Sequence, residues 1–327
     1  MAIGSGLGSQ LGIGKEVTWG TAVAATTFLP VGSFNLKRQG NKVQGQGIRA
    51  GGYGPLSGNY AETHEGSTGS FSFEAPTAGW DHLFQNFTGA TPTPSIVTGS
   101  IYSATFPIGD NFGKGITIEG GIPQQDGTVQ RHRLAGGKVT SMEFSCSVGG
   151  LLMCSVEVDG KQTTNDATAV STASYATDLS VFPWNSGAFK INNTALTGVR
   201  EWSIRISRPY DTERYSFGGG GTKLEQIPNG FVEVSGSVTV DLLNSTLLGY
   251  VTGDTAVDLD IEFDRTVNAK IYELDIVVPT VRFQDYDVPV TGPDTVKQTF
   301  NFVGQWSGTG DMLSLRRANT GATVGAG

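Results

Sequence analysis

Gly69-Ser70-Phe71-Ser72-Phe73-Glu74-Ala75 decides how the rest of the chain is read. Phe71 and Phe73 alternate with Ser70, Ser72 and Glu74, the period-2 pattern of a strand with one buried face. The period then changes. Trp80, Leu83, Phe84 and Phe87 fall at i, i+3, i+4 and i+7, one face of a short helix, and Gly89 supplies its stop. The same order returns as Gly236-Ser237-Val238-Thr239-Val240-Asp241-Leu242, apolar on apolar and polar on polar. Leu243, Leu247, Leu248 and Val251 then give a second, shorter helix. It closes on Thr252-Gly253, as the first closes on Thr88-Gly89.

The flanks repeat as well. Strand patterns at 31–37 and 199–207 precede the two copies, each followed by a long Gly-containing loop. Extended stretches follow, ending near Val158-Asp159-Gly160 and near Phe302-Val303-Gly304. One supersecondary plan is used twice, with the joint near residue 180. This predicts an all-β chain with one short helix per half: an N-terminal arm over 1–27, then related β domains over 28–180 and 181–327. The 47 glycines and the 16% of charged residues suit a turn-rich β protein. Residues 160–185, rich in Thr, Ala and Ser, read as a linker, and 318–327 as a loose tail.

The net charge of −8 disfavours a grip on nucleic acid, which needs clustered Lys and Arg against phosphate. Like charge instead repels the phosphate backbone. The opening residues lack the basic start and apolar core of a secretion signal, and no apolar run reaches membrane-spanning length. The expectation is a protein kept in the cytoplasm unless it leaves by lysis or within a particle. Cys146 and Cys154 fall on the two arms of a hairpin turning at Gly149-Gly150-Leu151, facing the core opposite one another. They are expected to be buried free thiols, with a disulfide as the alternative.

Three stretches invite chemistry. The run 12–21 imitates a phosphate-binding loop, but Ser9 stands where its first Gly is required and Glu16 where a Ser or Thr must meet magnesium. Asp258-Leu259-Asp260-Ile261-Glu262-Phe263-Asp264 is the sharpest alternation in the chain. It puts four carboxylates on one face, with Arg265 and Lys270 near enough to offset them. A solvated sheet face, a calcium site and an acidic wall facing a channel all fit that row. His64, His82 and His132 show no paired metal-ligand spacing. No nucleophile elbow or zinc-protease motif is present. No catalytic residue, metal or cofactor is assigned. A carboxylate pair of a glycan-acting enzyme is invisible in sequence, so such an enzyme stays open, as does a capsid decoration or adhesin protein.

The opening resembles that of major tail tube proteins of long-tailed, siphovirus-like bacteriophages. The resemblance is carried by Gly14-Lys15-Glu16, by Thr18-Trp19-Gly20-Thr21 and by Phe28-Leu29-Pro30. The strand-helix segment ending at Gly89 and the stretch 156–161 look like that family too. The resemblance implies a duplicated β-sandwich whose sheets join between subunits into a closed β-barrel ring. Rings stack into a tail tube through which DNA passes, without specific binding, to the host. Implied partners are further copies of the chain and the tail tip, tape measure and tail terminator proteins, with assembly in the host cytoplasm and residence in the virion. Single-copy relatives form sixfold rings, so two copies per chain imply a trimer with pseudo-sixfold symmetry in preference to a hexamer. The loop over 38–59 and its twin over 209–230 are implied to reach neighbouring subunits. Gly14, Lys15, Glu16, Trp19, Gly20, Arg38, Lys42, Arg49, Arg214, Tyr215 and Lys223 are the expected contact residues. Asp258, Asp260, Glu262 and Asp264 are expected to face the channel.

Overall fold

The computed structural model describes residues 3–166, 170–176, 178–242, 246–290, 292–293 and 295–325. Leu243 of the expected second helix lies outside them. The first half supplies β1 (Gln10–Lys15), β2 (Thr27–Leu29), β3 (Ser33–Gln44), β4 (Tyr60–Glu74) and α1 (Asp81–Thr88). It continues with β5 (Ser95–Thr98), β6 (Ile101–Pro107), β7 (Ile116–Pro123), β8 (Val129–Ser147), β9 (Met153–Gly160) and β10 (Gln162–Asp166). The second half holds β11 (Gly187–Ile191), β12 (Thr194–Ala195), β13 (Val199–Ser207), β14 (Tyr210–Asp211), β15 (Ile227–Pro228) and β16 (Glu233–Asp241). It ends with α2 (Thr246–Thr252), β17 (Val257–Val267), β18 (Lys270–Asp287), β19 (Lys297–Gly304) and β20 (Ser314–Asn319).

Antiparallel ladders join eight of these strands in the order β3-β4-β9-β8-β13-β16-β19-β18. Four come from each half, and the β8–β13 ladder stitches the halves into one sheet. A second layer packs across it. In the first half that layer is β2-β1-β7-β8-β10; in the second it is β12-β11-β17-β18-β20. The long strands β8 and β18 serve both layers. Each carries a bulge where it enters the eight-stranded sheet, between Val139 and Ser141 and between Phe283 and Asp285. A bulge bends a strand and sharpens its twist, which lets one strand turn from layer to layer.

Alternation fills the space between the layers. Phe73 of β4 packs on Trp80 at 5.4 Å, and Trp80 on Phe144 of β8 at 5.8 Å. In the second half Trp202 of β13 meets Phe263 of β17 at 6.0 Å across the layers. Most of the buried apolar residues form one continuous cluster. Gly236 shows why a glycine opens the repeated strand: a Cβ there would collide with the Phe302 ring.

The two helices differ in a way the sequence pattern misses. The spacing predicts a one-sided helix, yet every residue of α1 is buried. The hairpin β5–β6, which pairs with β20, and the C-terminal residues close over its outer side. The second half runs straight from α2 to β17 without that insertion, and only Leu247 of α2 is buried. Gly89 ends α1 in the left-handed region at φ 82°, with its N–H donated to the Gln85 carbonyl. After α2 the residue with positive φ is Asp254, at 46°, not Gly253.

Two other expectations change. The tail packs: Ala318, Asn319 and Gly321 are buried, and the Gly325 N–H donates to Asp81 Oδ2 at 2.7 Å. The linker stretch contains β10 and packs on the sandwich, with Val181 bridged to Pro76 and the Leu152 N–H donated to the Phe182 carbonyl. That segment takes up Leu151 and Leu152, so Cys154 lies opposite Phe144 while Cys146 pairs with Trp202 of β13. Both cysteines are buried free thiols, and burial pushes both thiol pKa values up.

Candidate functional site

The eight-stranded sheet has two free edges and one solvated face. Among the described residues, β3 forms a ladder only with β4, and the segment of β18 after its bulge only with β19. The barrel implied by the family resemblance is therefore not closed within one chain. An open edge presents unpaired N–H and C=O groups, a template for another strand. The solvated face is rich in hydroxyls: Ser33 faces Ser72 at 2.8 Å, Ser203 faces Ser237 at 3.2 Å and Thr239 faces Thr299 at 2.9 Å. Glu74, Glu201 and Glu233 are exposed on it, with no ion pair found for them among the described residues.

The loop expected over 38–59 begins as strand. β3 and β4 run on to Gln44 and Tyr60, so Arg38 and Lys42 sit on a projecting two-stranded arm and only 45–59 form its tip. Arg38 is paired with Glu62 and Glu65 across the arm, and Lys42 lies 5.9 Å above the Tyr60 ring. At the tip Arg49 is exposed, as are Ile48 and Tyr53 at 101% and 106% of full accessibility. Uncovered apolar side chains make the arm's end a candidate contact surface.

The twin loop folds back onto its own chain. The Gly221 carbonyl accepts the Glu65 N–H, and the Tyr215 ring packs on His64 at 4.5 Å, tilted by 47°. The Arg214 guanidinium donates to the Glu225 carbonyl. Lys223 is buried, 2.8 Å from Asp159 Oδ1, and Gln226 donates to the other oxygen at 2.7 Å. Burial pushes the Asp159 carboxyl up against the pull of Lys223.

The opening motif also makes its contacts within the chain. Glu16 is buried; its Oε1 accepts from Thr117 Oγ1 and from the Gly136 N–H, both at 2.8 Å, and its Oε2 from the Gly20 N–H at 2.7 Å. The Trp19 indole donates to the Gly136 carbonyl at 3.1 Å beneath Lys161. A side chain on Gly14 would strike the Ala24 carbonyl. These residues staple the first strand to the second layer. Lys15 alone among them is exposed.

The acidic row of β17 alternates as expected, with Leu259, Ile261 and Phe263 buried beneath it. It lies on the outer side of the second layer, across the core from the eight-stranded face. Its counter-charges are not Arg265 and Lys270. Lys190 of β11 pairs with Glu262, and Arg316 of β20 with Asp275 and Glu273. Lys270 is instead held by Asp178. Acid opposes acid across β17 and β18: Glu262 against Asp275 and Asp264 against Glu273. Ligand atoms of Glu262, Asp264 and Asp275 lie within 4.8 Å of one another, with Lys190 and Arg316 as the cations already beside them.

Asp275 is only 3% exposed. Burial pushes its carboxyl up to about 7 despite Arg316, and Asp260, Asp264 and Glu273 are raised by burial as well. An aspartate whose folded pKa exceeds its unfolded value holds its proton more tightly when folded. Between about pH 4 and 7 the native state then binds the extra proton, and stability falls as pH rises through that window. Replacing Asp275 by Asn should therefore raise stability at pH 8 by about 1–2 kcal/mol and change it little at pH 5. Denaturant melts at both pH values check this; an equal effect at each would contradict it.

The chain is thus a mostly β, two-layer antiparallel fold whose larger sheet has open edges at both ends. A family model described as phage tail tube protein matches residues 6–304, and the chain belongs to that family. It is thus a structural component of a virion tail, from a family whose members assemble into a tube with other tail proteins and are generally not enzymes. No helix among the described residues is long and apolar enough to cross a membrane. A comparison with curated proteins found no match.

Proposed function

We propose that the chain polymerises into stacked rings, each closed by three copies, forming the conduit through which DNA leaves the particle. The observation that carries this reading is the pair of free edges on a sheet already joined once, internally, between its two halves. Closing such a sheet removes its exposed edges, and a head-to-tail contact that closes gives a ring. Three chains of two halves each supply six equivalent units. The solvated hydroxyl and carboxylate face of the eight-stranded sheet lines the bore, and the β17 row faces outward. The arm tip around Arg49, together with Lys42 and Lys15, contacts the adjoining ring. Growth starts from a tail tip complex, runs along a tape measure protein and stops at a terminator.

Electron micrographs of concentrated protein with a nucleating tip should show tubes, and end-on averages should show threefold rings with six lobes. Six full-length chains per ring would refute the trimer; globules that never polymerise would refute the tube. Replacing residues 46–58 with an Asn-Gly turn, which suits a two-residue hairpin, should leave monomer melting unchanged and suppress stacking. Normal tubes from that variant would exclude the arm's role.

A further inference from the structure

The registers of the two halves can be laid on one another. Gly69 with Gly236 sets Phe71 on Val238; their partners on one side are Val156 and Phe300, and on the other Phe34 and Trp202. One strand further on, Met142 corresponds to Tyr286 and Ser141 to Asp285, each just past the matching bulge. β8 therefore corresponds to β18, and β13 to β3. The chain contains one join of this kind: β8 pairs antiparallel with β13 from Ser141↔Ser207 to Ser147↔Glu201. Among the described residues, the corresponding edges of β18 and β3 have no ladder partner for a second.

We propose that β18 of one copy pairs antiparallel with β3 of the next in the register of the internal join. Transposed, that register sets Asp285 opposite Gln39, Tyr286 opposite Arg38, Asp287 opposite Lys37 and Val288 opposite Leu36. The proposal rests on the ring reading and specifies its interface.

Three observations agree with it. Internally, Glu143 lies opposite Arg205, with their charged atoms 3.4 Å apart; the transposed pair is Asp287 with Lys37, acid and base on the same strands. The edges are complementary, because β3 carries Lys37 and Lys42 and no acid, its Arg38 being already paired with Glu62 and Glu65, while Asp285 and Asp287 flank Tyr286. Apolar residues also line up. Phe34 and Leu36 are half-buried at one edge. At the other, Tyr286 and Val290 are 48% and 72% exposed, on the alternation that faces the core. Pairing would cover them, as Ile204 and Ile206 cover Phe144 and Met142 at the internal join.

Directly opposed residues of an antiparallel pair come within disulfide reach. In assembled tubes, Lys37→Cys with Asp287→Cys should give oxidised chains linked end to end on a non-reducing gel, and either single variant should not. Tubes that cross-link through Lys37→Cys with Asp285→Cys instead would overturn the register and leave the ring intact. Failure of the native protein to form tubes would overturn the ring, and the register with it. Separately, Lys37→Asp should cut tube yield roughly tenfold without changing monomer melting, and adding Asp287→Lys should restore it. Full yield from Lys37→Asp, or no rescue by the double variant, would overturn the pairing of those two charges.

Discussion

Replacing Asp81 by alanine is expected to destabilise the fold by roughly 3–5 kcal/mol and to lower the melting temperature by on the order of 10 °C. Asp81 opens α1 and grips Arg317 of β20 with both oxygens, at 2.7 Å to Nε and 2.9 Å to Nη2. The two side chains are 2% and 0% exposed. Arg317 also donates to the Tyr102 carbonyl at 2.8 Å. One ion pair thus holds together the buried helix, β6 and the strand that ends the chain. Truncating the acid leaves a guanidinium in the core without a counter-charge, and that desolvation sets the size of the effect. Exposed Arg205 supplies the contrast. Its pairs with Glu143 and Glu157 lie in solvent, and Arg205→Ala should cost under about 1 kcal/mol in the monomer. Asp81→Leu combined with Arg317→Met should recover much of the loss, because an apolar pair needs no counter-charge. Equal melting shifts for Asp81→Ala and Arg205→Ala would contradict the assignment.

That ion pair spans 236 residues, which is why no window of sequence reveals it. What was legible had a short period. The alternation at Phe71 and Phe73, its repetition at Val238 and Val240, and the carboxylate row of β17 all follow from side chains pointing to opposite faces of a strand. Those patterns say which residues share a face and are silent about what the face meets. The β17 row was read correctly as a row, yet its cations come from Lys190 and Arg316, strands away in sequence, and not from nearby Arg265 and Lys270. Trp19 and Glu16 stood out by resemblance alone; their partner Gly136 lies about 120 residues on. α1 reads as amphipathic because Trp80, Leu83, Phe84 and Phe87 meet the sheet. Its polar side is buried through specific bonds instead: Asn86 accepts the Val139 N–H and donates to the Gly137 carbonyl. No periodicity encodes such bonds. The repeat was the one long-range feature the sequence displayed, because a duplicated plan writes the same local pattern twice.

Which sheet face lines the bore leads to the second large effect. Lysine at Glu74, Glu201 and Glu233 together should leave monomer melting and tube formation intact but slow DNA ejection by at least tenfold, an effect that grows at low salt. Each lysine inside a bore can neutralise a phosphate and release a counterion. Three per chain, repeated around a ring and along a tube, turn weak contacts into a continuous drag. On the proposed bore, the carboxylates of Glu74, Glu201 and Glu233, set among hydroxyls, would repel phosphate, and a cation beside them, Arg205, is already paired with Glu143 and Glu157. Lysine at Asp258, Asp260, Glu262 and Asp264 is the matched comparison, since that row lies across the core from the hydroxyl face. It should disturb the local pairing with Lys190 and Arg316 and lower stability, while ejection from the tubes that do form stays at the native rate. Timed ejection from assembled particles at two salt concentrations separates the faces. Slow ejection confined to the β17 variant would move the bore to the outer layer, because only a wall that meets the passing DNA can retard it in a salt-dependent way.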